Sequence, residues 1–232
     1  MDQSQKVAPP RKAPAKPRLL GALLPRAFFL DPPEQVAPKL LGKLLVHQTS
    51  AGPIIGRIVE VEAYQGPHNV PPDPAAHSFR GPTPRNLVLF GPAAHAYVYA
   101  IYGRYFCMNV TCEPEGTAGC ILLRALEPAS EHGASQMAVN RGLPPIAPAR
   151  LLASGPSRLC LALGLTRAQH NGLDLLDPTS PLQLRDDGFA PGPILVTPRI
   201  GIKHAVDWPL RFLFHGHPCV SGPAKANRPP ET

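Results

Sequence analysis

Residues 96–111, AYVYAIYGRYFCMNVT, contain two runs rich in aromatic and β-branched residues on either side of Tyr102-Gly103-Arg104. Such side chains favour strands, and a short glycine-containing segment between two runs predicts a hairpin. We therefore predict strands over 96–101 and 105–111, joined by a tight turn. A tight turn makes the two strands antiparallel, so the hairpin predicts that the fold contains an antiparallel sheet.

Similar strand patterns occur on both sides of this hairpin. Residues 43–49 and 54–64 predict a second hairpin across Ser50-Ala51-Gly52-Pro53. Three further strands are predicted, over 119–126, 194–197 and 210–215. Because strands come in runs rather than alternating with helices, we predict an α+β fold with a mainly antiparallel sheet and flanking helices.

Two helices are indicated by their end signals. Asp31 precedes a Pro-Pro pair and predicts the cap of a helix that runs through Leu40. Ser154 predicts a second cap, and Gly164 the end of that helix.

The chain is divided by composition into a body and two ends. Residues 1–18 and 223–232 are rich in Pro, Ala and charged residues without periodicity, so we expect disordered segments flanking one domain over 19–222. Within the body, the proline-rich segment 66–84 predicts a long loop of the kind that is usually functional, and 131–149 a surface connection.

The net charge of +7 permits a nucleic-acid partner. Residues 1–18 alone hold five Lys or Arg against one Asp, so the body is only mildly basic. No apolar run approaches the length of a membrane span, and no apolar segment follows the first basic residues as in a signal peptide. We expect a soluble intracellular protein, in the cytoplasm or nucleoid of a bacterium or the nucleus of a eukaryote.

The five cysteines include no CxxC pair, and their number is odd. A disulfide framework or a zinc cage is therefore not indicated, and buried thiols are expected. His215 and His217 have a spacing that can bind metal, but only Cys219 lies beside them, so we do not expect a metal site.

Residues 57–64, RIVEVEAY, are the first candidate for chemistry. Because side chains alternate along a strand, one face is predicted to carry Ile58, Glu60, Glu62 and Tyr64. A carboxylate could activate water there while the aromatic ring holds a planar substrate. A half-buried strand with one solvated face explains the same pattern.

The second candidate is the tyrosine-rich hairpin. Four tyrosines lie in it, and Tyr102 stands at the predicted tip beside Arg104. Such a tip could enter a DNA groove and fill the space of an extruded base, with the cation meeting phosphate. The alternative is that these rings fill a core.

Single residues elsewhere are less informative. His77 lies in the proline-rich loop, and the turn at 83–86 carries an arginine and an amide that could hold phosphate or brace that loop. Arg124 lies on an otherwise apolar strand, where a buried arginine needs a carboxylate, and Glu60 or Glu62 would serve.

Eight stretches in this order resemble the alkyladenine (3-methyladenine) DNA glycosylase family, over roughly residues 18–222. They are RIVEVEAY (57–64), AAHS (75–78), TPRN (83–86), YVYAIYGRYFCMNV (97–110), LLRALEP (122–128), SGPSRLC (154–160), GLDL (172–175) and PRIGIKHAVDWPLRF (198–212). The resemblance implies one compact α+β domain with a curved antiparallel sheet, a monomer without metal or cofactor. It implies base excision repair: duplex DNA with damaged purines would be the partner, and no membrane is involved.

The resemblance also assigns catalytic roles. Glu62 matches the general base that activates water, and Arg124 the arginine that helps to hold that water. Tyr102 matches the tyrosine that intercalates into the gap left by the base. The family has no such role for Glu60, so Glu62 alone of the two acids is expected to be catalytic.

Four further residues match the base pocket. Tyr64 and His77 correspond to the pair that sandwiches and hydrogen-bonds the flipped base, and Tyr99 to the opposite wall. Asn109 corresponds to the asparagine whose bulk disfavours the exocyclic amine of guanine. Residues 65–76 are longer and richer in proline than the family pattern, which affects where His77 is placed.

Two other classes of function remain at this point. A non-catalytic damaged-DNA-binding module would use the same tyrosines and basic end. A small-molecule nucleoside or glycoside hydrolase would use Glu60 and Glu62 as a pair. No lysine accompanies the site motifs, so a Schiff-base lyase step is not expected and an intact abasic site is the expected product.

Overall fold

In a computed structural model of the chain, residues 20–228 are described, and they form nine strands and five α-helices. The strands join into one curved antiparallel sheet, which confirms the predicted α+β class. The strands are β1 (Ala22–Leu23), β2 (Leu44–Thr49), β3 (Gly52–Tyr64), β4 (Ala96–Ile101), β5 (Tyr105–Cys112), β6 (Gly119–Pro128), β7 (Leu182–Asp186), β8 (Ile194–Thr197) and β9 (Arg211–Phe214). The α-helices are α1 (Pro33–Leu40), α2 (Glu131–Asn140), α3 (Ala149–Leu152), α4 (Pro156–Leu163) and α5 (Arg167–His170).

The long strand β3 organises the sheet. The strand order is β1-β7-β2-β3-β6-β5-β4, with β9 also paired to β3, and β8 to β9. Along one edge of β3, residues 52–57 pair with β2 and residues 60–62 pair with β9, while β6 covers the other edge. Almost every residue of β3 beyond Pro53 is buried.

Both predicted hairpins are confirmed. In β2–β3, Thr49 pairs with Gly52 across a two-residue turn. In β4–β5, Ile101 pairs with Tyr105, and the turn between them places Tyr102 at φ 48° and Gly103 at φ 75°. Consecutive positive φ values are typical of tight hairpin turns, and glycine adopts them without steric cost.

The polar face of β3 begins at Glu60 and does not include Ile58, although strict alternation predicted both on one face. The pairing with β6 shifts register between Ile58 and Glu60 and again between Glu60 and Val61. Ile58 consequently lies in the hydrophobic core together with Val59 and Val61. A β-bulge interrupts simple alternation in this way, so the prediction for Ile58 was wrong.

The predicted helices are present, but their caps differ from the prediction. Pro32, not Asp31, is the N-cap of α1, and the Asp31 carboxylate accepts a hydrogen bond from Lys39 Nζ at 2.9 Å. Gly155 caps α4, because the Ser154 hydroxyl instead donates to the Val220 carbonyl. The predicted end at Gly164 is confirmed by its left-handed φ of 69°.

Residues 131–149 are not merely a connection. They contain α2, whose N-cap Ser130 accepts a hydrogen bond from the Gly133 amide at 3.0 Å. Glu131 in the first turn complements the helix dipole. The prediction was wrong because the prolines of this segment all lie after the helix ends.

The main core lies between the sheet and the helices α1, α2 and α4, and it draws on β3, β5 and β6. A smaller cluster of Leu89, Tyr97, Ala118 and Cys120 packs against the partly buried rings of Tyr64 and Tyr99. This second cluster supports the aromatic cleft described below. The five cysteines are buried and unpaired.

The predicted terminal segments are only partly covered. Residues 1–18 lie outside the described residues, as do 229–232. Ala224–Asn227 form a 3-10 helix, and Arg211 donates to the Ala226 carbonyl and the Asn227 side chain. Among residues 20–228, each helix is too short or too polar to cross a membrane.

Candidate active site

A cleft of about 370 Å³ opens beside the tip of the β4–β5 hairpin. Its walls come from β3, β4, β5 and β6, from the proline-rich loop, and from the segment after β8. Six of the seven site residues expected from the sequence line it: Tyr64, His77, Tyr99, Tyr102, Asn109 and Arg124. The seventh, Glu62, is fully buried and contacts this wall.

Three groups of the cleft wall hold the Glu62 carboxylate. Its Oε1 accepts from the Ile200 amide at 2.8 Å and pairs with Arg124 Nη1 at 3.1 Å. Its Oε2 accepts from the Tyr64 hydroxyl at 2.9 Å. Two carboxylate oxygens offer about four lone-pair sites, so Oε2 has capacity for one more donor, such as a water molecule.

Glu60 has a different set of partners. Its Oε1 accepts from Arg124 Nε and Arg211 Nε, both at 2.7 Å, and its Oε2 accepts from the Ser221 amide at 2.6 Å. Glu60 and Arg211 are fully buried. This carboxylate therefore joins β3, β6, β9 and the segment after β9.

Arg124 connects the two acids. It falls where the register shifts, since Ala125 pairs with Glu60 and Leu123 pairs with Val61. Burial lowers the pKa of Arg124, but the carboxylates of Glu62 and Glu60 outweigh that effect and hold the pKa above its usual value. The guanidinium therefore stays charged and forms an ion pair with each of the two carboxylates.

Aromatic rings form the opposite side of the cleft. His77 and Tyr99 meet edge to face with ring centroids 4.5 Å apart, and Tyr97 stacks on Tyr99 at 5.2 Å. The His77 Nδ1 atom lies 3.1 Å from the Tyr97 hydroxyl. Burial, followed by the charge of Arg85, lowers the pKa of His77, so the imidazole is neutral at neutral pH.

Several hydrogen bonds hold the proline-rich loop that carries His77. The Asn86 side-chain amide donates to the His77 carbonyl at 2.8 Å and to the Gly81 carbonyl at 3.1 Å, so the turn at 83–86 braces the loop. Ser78 donates to the Ala118 carbonyl. His77 therefore lies in the cleft despite the extra length of residues 65–76.

Tyr102 and Asn109 occupy opposite ends of the hairpin. Tyr102, at the tip, is 90% exposed. Asn109 is buried at the cleft wall, and the Cys120 thiol lies 3.7 Å from its Oδ1. The tip is thus free for a partner, whereas Asn109 is fixed against the cleft.

The sequence profile of one known family, described as methylpurine-DNA glycosylase, matches residues 27–218. The chain belongs to the methylpurine-DNA glycosylase family. It is therefore an N-glycosylase hydrolase whose substrate is damaged DNA.

Relatives of this methylpurine-DNA glycosylase match along most of their length. A protein of Koribacter versatilis named "Putative 3-methyladenine DNA glycosylase" is 52% identical over 201 residues, which are 87% of this chain and 94% of the relative. A protein of Burkholderia lata with the same name is 46% identical over 214 residues, or 92% of this chain and 98% of the relative. A third, from Rhodopseudomonas palustris, is 49% identical over 193 residues, with 83% and 85% covered.

The methylpurine-DNA glycosylase cleft also contains residues that the sequence did not indicate. Residues 200–204, IGIKH, line it, including Lys203. The expectation that no lysine accompanies the site was therefore wrong. The segment belongs to the family motif at 198–212, but its closeness to Glu62 arises from the pairing of β9 with β3.

Among residues 20–228 no three His, Cys, Asp or Glu side chains are grouped so as to hold a metal ion. His217 instead lies 3.5 Å from the Glu127 carboxylate and accepts from the Cys219 amide. His215 is exposed on the other side of Gly216.

Proposed function

We propose that this enzyme is a monofunctional DNA glycosylase that flips alkylated or deaminated purines out of duplex DNA and hydrolyses their N-glycosidic bond. The bases are 3-methyladenine, 7-methylguanine, hypoxanthine and ethenoadenine, and the product is an intact abasic site. The observation that carries the proposal is a buried carboxylate, Glu62, held by Arg124 and a backbone amide at the wall of an aromatic cleft.

The cleft suits a planar base. Tyr64, His77 and Tyr99 present aromatic surfaces to it, and stacking of a base on such rings contributes about 1–3 kcal/mol. A cationic alkylated purine gains further from the electron-rich ring faces. Because the neutral His77 directs Nδ1 to Tyr97, its Nε2 is available to the base. Asn109 would disfavour the exocyclic amine of normal guanine, whereas 7-methylguanine offsets this cost through its weakened glycosidic bond.

The chemical step needs a nucleophile at the sugar. Glu62 takes a proton from water, the water oxygen bonds to C1′, and the glycosidic bond breaks with its electron pair leaving on the base. The anionic carboxylate also stabilises the oxocarbenium-like sugar. Arg124 pairs with the Glu62 carboxylate and helps to place the water.

Access to C1′ requires extrusion of the nucleotide, which costs a few kcal/mol and least for a damaged pair. Tyr102 at the exposed hairpin tip would fill the gap, while Arg104 on the same tip meets a phosphate. In this scheme, exposed Lys203 at the cleft contacts a phosphate of the DNA backbone beside the flipped nucleotide. We propose no lyase step, because the nucleophile in this scheme is water activated by Glu62 and not the amine of Lys203.

The test is base release from duplex oligonucleotides that carry one hypoxanthine or ethenoadenine, and from methylated DNA. Wild type is compared with Glu62→Gln and with Glu115→Gln, an exposed glutamate beyond β5. We expect Glu62→Gln to lose excision by at least about 100-fold while binding DNA normally, and Glu115→Gln to match wild type.

Strand cleavage is expected only after hot alkali, and borohydride is expected to trap no covalent complex. Trapping that Lys203→Gln abolishes would contradict the monofunctional assignment. Folded wild-type protein that binds lesion DNA but releases no base would instead favour a non-catalytic damaged-DNA-binding module.

A further inference from the structure

A buried ion pair lies behind the cleft. Arg199 Nη1 and Nη2 contact the two carboxylate oxygens of Asp73 at 2.5 and 3.0 Å, and both side chains are fully buried. Asp73 comes from the proline-rich loop and Arg199 from the segment between β8 and β9. None of the roles proposed above uses this pair.

The guanidinium of Arg199 lies over the ring of Tyr64, with Cζ 4.5 Å from the ring centroid. Tyr64 lines the cleft, whereas Arg199 does not. The cation therefore sits on the ring face that points away from the cleft, and the other face is available to a base. Arg199 also donates to the Ala63 carbonyl at 3.1 Å, which fixes the backbone before Tyr64.

Asp73 extends the arrangement to the loop. It accepts hydrogen bonds from the Gln65 amide at 3.3 Å and the Ala75 amide at 3.0 Å. These contacts close the segment between Tyr64 and His77 on itself. The pair thus holds Tyr64 and His77, two of the residues that are proposed to contact the base.

The position of the charge has a consequence for base preference. The face of an aromatic ring attracts cations because it carries negative charge density. A cation on one face draws on that density and weakens the attraction of the opposite face for a second cation. The Asp73 carboxylate opposes this effect from behind Arg199.

We propose that the Asp73–Arg199 pair positions Tyr64 and sets the preference of the cleft between cationic and neutral damaged bases. Arg199 lowers the preference for purines made cationic by alkylation at N3 or N7, and Asp73 limits that effect. Neutral lesions such as hypoxanthine and ethenoadenine are thereby retained as substrates. The inference rests on the proposed base-excision function.

The experiment compares single-turnover excision of 7-methylguanine, which is cationic, with excision of hypoxanthine and ethenoadenine, which are neutral. The variants are Arg199→Gln, Asp73→Asn, and the double variant D73N/R199Q, which carries no buried charge here. Arg199→Lys keeps the cation and is the matched control. Thermal melting shows which variants are folded, and the double variant carries the test if a single variant unfolds.

We expect Arg199→Gln and the double variant to raise the ratio of cationic to neutral excision by roughly threefold to tenfold. Asp73→Asn should lower that ratio. Arg199→Lys keeps the cation but loses the two-point contact with Asp73, so its overall rate should fall while the ratio stays near that of wild type. Purely structural support would reduce excision of all lesions in parallel and leave the ratio unchanged, which would overturn the inference. If wild type itself excises no lesion, the proposed function fails instead.

Discussion

Two glutamates two positions apart on β3 have different partners, and this difference separates the roles proposed for them. Glu62 shares Arg124 with Glu60, so removal of its charge leaves Arg124 paired. Glu60 is the carboxylate partner of fully buried Arg211, so removal of its charge leaves that cation without an anion. One residue is suited to chemistry and the other to stability.

We therefore predict that Glu60→Gln lowers the free energy of unfolding by about 3–5 kcal/mol, the usual cost of breaking a buried ion pair on one side. Glu62→Gln should cost less, because Arg124 retains Glu60. Urea unfolding followed by circular dichroism measures both. Equal losses for the two variants would show that the contrast in partners has no energetic consequence.

A third acid, Glu113, is predicted to make stability depend on pH. Burial, and then the charge of Glu34, raise the pKa of Glu113 to about 7 from an ordinary 4.5. The folded state therefore holds a proton that the unfolded state releases, and stability falls as pH rises from 4.5 to 7. Glu113→Gln removes this loss, so its Tm should exceed that of wild type at pH 8 and match it near pH 4.5. The exposed Glu115→Gln should change neither value.

At the scale of elements, hairpins were predictable because their signals are local. Aromatic runs with Tyr102-Gly103-Arg104 between them defined β4 and β5 within one residue. The strand β7 and the helix α2 were missed, because the alternation in β7 covers only four residues and α2 has no clear apolar face in the sequence. The register shift at Glu60 was also missed, because a bulge depends on the partner strand.

In the candidate site, too, some residues could be predicted from local sequence and others could not. Motif resemblance assigned expected roles to Glu62 and the tyrosines, but it gave no role to residues 200–204 or to Asp73. Their places depend on contacts between segments more than 100 residues apart in sequence, such as Asp73 with Arg199. A pattern within a short window contains no information about such contacts.

A pair of imidazoles joins α5 to the sheet and yields a prediction at this scale. His170 Nε2 lies 3.2 Å from His47 Nε2, His47 Nδ1 donates to the Leu163 carbonyl, and His170 Nδ1 accepts from the Thr166 amide. This chain of hydrogen bonds is complete when both rings are neutral. Burial lowers the pKa of both residues, and for His170 the nearby His47 adds to the effect.

Because the folded pKa values lie below the ordinary 6.5, the unfolded state binds more protons, and the stability from this pair is present above pH 6.5 and lost as pH falls below it. We predict that His170→Gln destabilises the protein at pH 7.5 and flattens the decline in Tm between pH 6.5 and 5. The exposed His68→Gln should follow the wild-type curve. An unchanged slope in His170→Gln would contradict the prediction.

Over the whole molecule, a few exposed cations near the cleft add to the basic residues at the start of the chain. Arg104 and Arg158 are exposed near the hairpin and α4, and Lys203 is exposed at the cleft. Burial, and then the charge of Arg158, lower the pKa of Arg141, so these two cations lie near each other. The body thus presents cations where the tip would meet DNA, although its net charge is small.

The basic segment 1–18 should add affinity without adding specificity. We predict that replacing Lys6, Arg11, Lys12, Lys16 and Arg18 by Gln weakens binding to undamaged duplex DNA. The slope of log Kd against log salt should fall by up to about 4.5, since each of the five phosphate contacts contributes about 0.9. Single-turnover excision with the enzyme in excess should not change, because Glu62 and the cleft are untouched. Fluorescence anisotropy from 50 to 200 mM salt provides the slope, and Lys39→Gln, on the surface of α1, is the control. A slope equal to that of wild type would place the DNA contacts on the body alone, and a fall in the excision rate would mean that the segment also contributes to the active site.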